Sequence, residues 1–249
     1  MSLASEAGHW YEADGKPCYT VVGRNGERRP TTLRDTRKMN LYPSVTTIIR
    51  CAAAPGLERW KAEQLLMAGL TLPFDDLLES EADWIKRVWE DSKQQARQAA
   101  ERGAEIHAAI EKHYRGKSLL EEEVPYAEAA RQQISNRFGG QTWRSERSFA
   151  HPLGYGGKVD LHSNQVVVDF KTKEGPLDGL KLYDSHFMQL AAYANGLGLR
   201  TPRCAVVFVR RDQPEAELKL LSKDDVNRGW LQFNALLQYW QAKTRHVPK

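Results

Sequence analysis

Ser145–Lys173 reads SERSFAHPLGYGGKVDLHSNQVVVDFKTK. Short runs of alternating apolar and polar residues predict three strands joined by two tight turns. Side chains alternate across a strand. Asp169 and Lys171 therefore share one face, with Val168 and Phe170 on the other. In the strand before, Lys158, Asp160 and His162 share a face opposite Val159 and Leu161; in the first strand Arg144, Glu146 and Ser148 share one. The turn at Ser163-Asn164 is short enough to make the second and third strands a hairpin, which predicts Asp160 and Asp169 side by side on one sheet face. A carboxylate and an ammonium then end the run Val166-Val167-Val168, which has the composition of a buried strand. Burying unpaired charge is costly.

Two adjacent carboxylates raise each other's proton affinity unless a cation lies between them. Magnesium, which takes carboxylate oxygens and keeps several waters, suits such a pair, and the carbonyl of Phe170 offers a further ligand. A metal there lowers the pKa of a bound water and neutralises charge building on a phosphate. Lys171 beside it orients the attacking water or stabilises the pentacovalent phosphorane. Against this stands the plainer reading of a salt-bridge cluster on an exposed strand, which an isolated D-x-K triplet usually is. GGKVD, a short turn and VVVDFK in succession make that plainer reading a poorer fit.

Outward from this stretch, Trp10–Val22 predicts a hairpin turning at Asp14-Gly15. Six basic residues follow, Arg24, Arg28, Arg29, Arg34, Arg37 and Lys38, either a solvated loop or an arm that tracks phosphates. Ser44 is an N-cap candidate for a short helix through Ile49. From Gly56 to Gly116 the chain has helical character, with one helix carrying Leu57, Trp60, Leu65 and Leu66. A second is expected over Leu77–Glu90 after the Pro73 break, and a third over Ser92–Tyr114. In the third, Gly103, His107, Ile110 and Tyr114 fall on one face, and Gly103 permits a close approach to a neighbour. A helix over Pro125–Phe138 ends at Gly139-Gly140. Beyond the three strands come a helix over Asp184–Leu197, strands at Cys204–Val209 and Glu215–Leu221, and a last helix capped by Ser222 with Val226, Trp230, Phe233, Leu237 and Trp240 facing inward.

That order predicts an α+β fold with an N-terminal helical elaboration. Residues 1–55 are expected as an arm and strands packing on the core, and 56–249 as the main body, one compact domain overall. The 249 residues suffice for a substantial core, and 41% hydrophobic with 27% charged residues is ordinary for a globular chain. A net charge of +4 and a pI near 8.9 permit nucleic-acid binding without requiring it. No apolar run reaches membrane-spanning length and the opening MSLASEAGHWYEADG has no signal-type apolar region, so a cytoplasmic protein is expected. Cys18, Cys51 and Cys204 are scattered and lack the spacing of a zinc or iron–sulfur site.

Four pieces now stand in one order: Gly103-x-x-x-His107-x-x-x-Glu111, Gly157-Lys158-Val159-Asp160, Asp169-Phe170-Lys171 and Gln189-x-x-x-Tyr193. Together they resemble the PD-(D/E)XK nuclease superfamily and, within it, the RecB-like, phage-type exonucleases. Pro43-Ser44-Val45-Thr46-Thr47 with Trp60 is similar to the opening of phage members. The resemblance implies a restriction-endonuclease-like α/β/α core, a mixed sheet flanked by helices. It implies a Mg²⁺- or Mn²⁺-dependent deoxyribonuclease acting on DNA, single- or double-stranded, in phage or bacterial recombination, repair or DNA processing. A phage or host recombination protein is a further implied partner, the bacterial host cell the setting, and no iron–sulfur cluster is expected.

By the same resemblance Asp160, Asp169, Lys171 and Glu146 are catalytic, and His107, Asp160, Asp169, Glu146 and the Phe170 carbonyl hold metal. Gln189, Tyr193 and Lys173 contact DNA. Glu111 is either a partner that orients His107 or a solvated helix charge. His107 taken alone reads as a hydrogen-bonded core histidine, Tyr193 as a core aromatic, and Glu146 equally as a partner of Arg144 or Arg147. The function alternatives are a structure-specific endonuclease and a catalytically inactive, nuclease-like DNA-binding or assembly protein.

Overall fold

The computed structural model describes residues 8–249. The first seven residues of the expected 1–55 segment, and with them half of the opening MSLASEAGHWYEADG, lie outside the described residues. The chain runs β1 (Trp10–Tyr11), β2 (Thr20–Val22), β3 (Arg28–Pro30), α1 (Leu33–Met39), β4 (Tyr42–Pro43) and α2 (Val45–Ile49). Then come α3 (Pro55–Thr71), α4 (Glu81–Ser92), α5 (Gln94–Tyr114) and α6 (Val124–Phe138). The remainder is β5 (Arg144–His151), β6 (Tyr155–His162), β7 (Val166–Lys173), α7 (Asp184–Gly196), β8 (Arg203–Arg210), β9 (Ala216–Leu220) and α8 (Lys223–Thr244).

One five-stranded sheet, in the order β5-β6-β7-β8-β9, forms the middle layer. It is mixed: β7 and β8 run parallel across the α7 crossover, and the other neighbours are antiparallel. Val166, Val168 and Phe170 pack with Ile106, Ile110, Ala130 and Ile134 of α5 and α6 on one face. Val167, Val206 and Phe208 pack with Leu190, Phe233 and Leu237 of α7 and α8 on the other. Covering both faces is what lets β7 and β8 carry near-continuous apolar runs. The fold is therefore α+β, with a mixed sheet between helical layers.

Several elements depart from the sequence expectation. The turn at Asp14-Gly15 forms, but β1 pairs with β4, and β2 with β3 around Asn25-Gly26, so the expected hairpin is divided between two small sheets. Of the basic stretch, Arg24 stands in the turn between β2 and β3, and the remainder is structured. It forms β3 and α1, where Arg29 grips Asp35 through two bonds of 2.6 and 2.9 Å and Arg37 donates to the carbonyl of Thr244. The second helix begins at Glu81 rather than Leu77, because the Ser80 hydroxyl accepts from the Asp83 N–H and supplies the N-cap. The apolar residues that mark α3 in the sequence are largely outside: Leu57, Trp60 and Leu66 are exposed, as are Met67 and Leu70. Helix α3 packs chiefly against α4, and α4 in turn on α5, so neither helix reaches the sheet strongly enough to bury a full stripe.

The alternation along β6 also breaks. Val159 packs in the layer under α7 and α8, whereas Leu161 packs in the layer under α5 and α6. A continuous pleat would put both on one face. The break falls at Asp160, and its neighbour on β5, Glu146, carries a left-handed φ of 58°, a backbone conformation that costs a non-glycine residue on the order of 1 kcal/mol or more. The expectation that Lys158, Asp160 and His162 share a face fails for this reason.

Candidate active site

Strands β6 and β7 are paired only at Leu161–Val168 and His162–Val167. One residue further on, where Asp160 faces Asp169, the ladder opens. The N–H of Phe170 turns instead to the carboxylate of Asp160, donating to Oδ2 at 2.9 Å. The two acids thus sit at the fork where the strands part, and each is approached by a different helix. Asp160 meets α5, with His107 Nδ1 at 3.9 Å from its Oδ2. Asp169 meets α7 through Gln189. They are neighbours across the fork rather than side by side on one continuous face.

Asp169 is 2% exposed, and each of its oxygens meets one donor. Lys171 Nζ lies 2.6 Å from Oδ2, and Gln189 Nε2 donates to Oδ1 at 2.7 Å. Lys171 also donates to Gln189 Oε1 at 3.1 Å, and the second N–H of Gln189 reaches the Tyr193 hydroxyl oxygen at 3.1 Å. A carboxylate can only accept and an ammonium only donate, so the Gln189 amide has one permitted orientation. Tyr193 is buried against Phe149, with ring centroids 6.3 Å apart. Gln189 and Tyr193 are thus spent beneath the carboxylates. This placement suits positioning groups.

Burial, then the charge of Asp169, pushes the Asp160 carboxyl up to about 8, against the opposing pull of the Phe170 N–H and Lys171. Burial lowers the His107 pKa, more than Asp169 raises it, so the imidazole is neutral near pH 7 and able to ligate a metal. For Lys171 burial works towards the neutral amine, but Asp169 and Asp160 together outweigh it and hold the pKa above its ordinary value. Burial and the two aspartates raise the Tyr193 phenol well above its usual range.

Glu146 pairs with Lys158 rather than with Arg144 or Arg147. It lines a cavity of about 10 Å³ with His107, Glu111, Asp160 and Phe170, room for roughly one water-sized body. Glu111 pairs with Arg115 at 2.7 Å, so it faces the cavity without orienting His107. Lys173 is exposed at the end of β7, its Nζ 3.5 Å from the Pro176 carbonyl. Helix α5 is pressed onto β7 at Gly103, where an added Cβ would stand 2.7 Å from Thr172 Oγ1. That contact sets the depth at which His107 enters one turn later.

Among the described residues no three His, Cys, Asp or Glu side chains converge as a ready metal cluster. Lys158 and Lys171 occupy Glu146 and Asp169 instead. In kind, however, the donors fit a hard divalent cation: carboxylates, a neutral imidazole and a water-sized space. For Asp160, burial and the neighbouring Asp169 outweigh the pull of Lys171, so its carboxyl stays above the ordinary carboxylate range.

Two side chains near this site were not singled out from sequence. Lys158 was placed on a face but not recognised as the partner of Glu146. His186, three residues before Gln189 on α7, feels the charges of Lys171 and Asp169; the i, i+3 spacing to Gln189 is the signal for it.

No family model matches the sequence and no curated protein does either. Among solved structures the chain is similar to a candidate exonuclease from Eubacterium rectale, at 10% identity and a TM-score of 0.42, covering 59% of this chain and 69% of that one. It is also similar to SSO0001, at 14% identity and a TM-score of 0.33, covering 76% and 93%. Fold likeness this distant leaves function to be read from the site itself.

Proposed function

We propose that the chain is a divalent-metal-dependent deoxyribonuclease with a restriction-endonuclease-like core of the PD-(D/E)XK kind, acting foremost as an exonuclease. The observation that carries the reading is the hydrogen-bonded ring of buried Asp169, Gln189 and Tyr193 with half-buried Lys171, closed beside Asp160 at the fork of two strands. So much buried polarity in one place, held in one orientation, is what a preorganised site needs. Asp160, Asp169, Glu146, His107 and the Phe170 carbonyl are the groups that would hold Mg²⁺ or Mn²⁺. When bound, the cation supplies an acidified water and charge neutralisation at the phosphate.

The chain's own residues do the rest. Lys171 has three N–H donors; Asp169 and Gln189 take two. The third is left for a phosphate oxygen or the attacking water, and the side chain is 34% exposed and so within reach of substrate. Gln189 keeps Lys171 and Asp169 in register, and Tyr193 supports Gln189 from below. Residues 8–55 brace β6, and 56–249 carry the site. The setting proposed is phage or bacterial DNA recombination, repair or processing, with DNA as substrate and a recombination protein as a further partner.

The test is end-labelled single- and double-stranded DNA incubated with Mg²⁺, Mn²⁺ or EDTA. Stepwise shortening from an end is expected in either metal and none in EDTA. Internal cuts would make the chain a structure-specific endonuclease instead, and binding without cleavage in every condition would make it an inactive assembly protein.

A further inference from the structure

Further along β6 from the carboxylates, residues in and flanking β1 and β2 present an aromatic stack that no step above employs. The exposed imidazole of His9 lies on the ring of Tyr19, with centroids 4.5 Å apart and planes 26° from parallel. Tyr19 meets Tyr11 edge-on at 5.8 Å and 87°, and the two hydroxyls are 3.0 Å apart. Tyr11 is buried and packs at Gly156 of β6, where even a Cβ would meet its ring at 2.9 Å. The His9 carbonyl accepts from the Ser44 N–H at 2.9 Å, and Ser44 itself bridges Gly156. The stack is therefore fixed to β6 at both backbone and side chain. Gly156 precedes Asp160 by four residues, about 13 Å along a strand. The charge of exposed Arg50 reaches His9, as does that of Lys158, which Glu146 holds.

An exposed π-face, backed by a second ring and held by a rigid strand, is suited to receive a flat, uncharged partner at little ordering cost. A flanking cation suits a partner that alternates flat groups with phosphates. We propose that His9, backed by Tyr19, is a stacking subsite for an unpaired base of the strand entering the carboxylate site, with the exposed Arg50 drawing an adjoining phosphate. The inference rests on the nuclease reading and deepens it. A paired base keeps its faces covered by its neighbours, so the subsite selects a single-stranded end or an end that has frayed.

The experiment uses the full chain in EDTA, where the strand stays intact. Binding of fluorescein-labelled (dT)12 and of a blunt duplex is read by anisotropy, and a 2-aminopurine near the end of a single strand reports stacking by quenching. His9 is exposed, so substitution there spares the core. His9→Ala is expected to weaken binding of (dT)12 by on the order of 5- to 100-fold and to abolish the quenching. Blunt-duplex binding should be unchanged, and His9→Phe should retain both properties. Unchanged (dT)12 affinity in His9→Ala, or equal losses for single strand and duplex, overturns the subsite. If such a variant accompanies a wild type that degrades DNA in Mg²⁺, the nuclease reading stands and only the subsite falls. A wild type that neither binds nor cuts either form of DNA removes both.

Discussion

Gln189 is the residue on which the buried ring turns, because its amide is the one group bonded to Asp169, Lys171 and Tyr193 together. Gln189→Leu keeps much of the volume but strips a charge-assisted bond from a carboxylate that is 2% exposed. A loss of about 2 kcal/mol in urea unfolding is expected, along with slower cleavage at saturating DNA. A variant of unaltered stability would mean that Gln189 is not seated as described. Asp160 makes a second prediction at this scale. Its carboxyl, pushed up to about 8 in the folded chain, releases its proton near 4 once unfolded. Between those values the folded state binds more protons, so this group's effect is that stability falls as pH rises from about 4 to about 8. Urea unfolding in EDTA at pH 5 and pH 8 should show that fall in the wild type and a smaller one in Asp160→Asn; identical pH dependence would place Asp160 in the ordinary carboxylate range.

The acids and lysine of the candidate site stand out in the sequence because they are charged side chains at the end of an apolar strand. Their partners were harder to see. That Lys158 takes Glu146, and that Gln189 faces Asp169 rather than outward, depends on the fork between β6 and β7 and on the left-handed turn at Glu146. No local pattern encodes either. The alternation argument failed at Asp160 for the same reason, since period-two counting assumes an unbroken pleat.

At the scale of elements, the contact between α5 and β7 governs how His107 is presented. Gly103→Ala drives a Cβ into Thr172 Oγ1, a separation of 2.7 Å without adjustment, and should destabilise the chain by about 1–3 kcal/mol. Removing the obstructing oxygen in Gly103→Ala/Thr172→Ala should recover much of that loss. Thermal unfolding of the two single variants and the double variant measures the coupling, and simple additivity would place the helix elsewhere. Glycine in a helix was a readable sign of close approach, although the strand it approaches was not. Ser44 and Ser222 likewise announced the caps they form. Helix α3 shows the opposite case. Its apolar residues gave a helix, yet most of them are exposed, because periodicity reports a face without reporting whether anything lies against it. The parallel pairing of β7 with β8 is also non-local, set by the crossover through α7.

For the whole molecule, two aspartates are approached by separate helices, so a cation held by both, as proposed, would tie the α5 side of the sheet to the α7 side. A ligand that binds only the folded state, supplied at about 100 times its Kd, adds about 2.7 kcal/mol of stability. Mn²⁺ should therefore raise the unfolding temperature of the wild type and leave that of Asp160→Asn unchanged. An equal rise in both would put the ion elsewhere on the surface. Among the described residues no helix is long and apolar enough to cross a membrane. The central claim is metal-dependent phosphodiester hydrolysis at Asp160, Asp169 and Lys171. Its most direct measurement is the initial rate of nucleotide release from DNA in Mg²⁺ by wild type, Asp169→Asn and Lys171→Ala, each checked by circular dichroism for a native fold. The prediction is Mg²⁺-dependent release by the wild type that EDTA abolishes and that falls by on the order of 10²-fold or more in each variant. Release that persists in EDTA, or that both variants sustain at the wild-type rate, would contradict it.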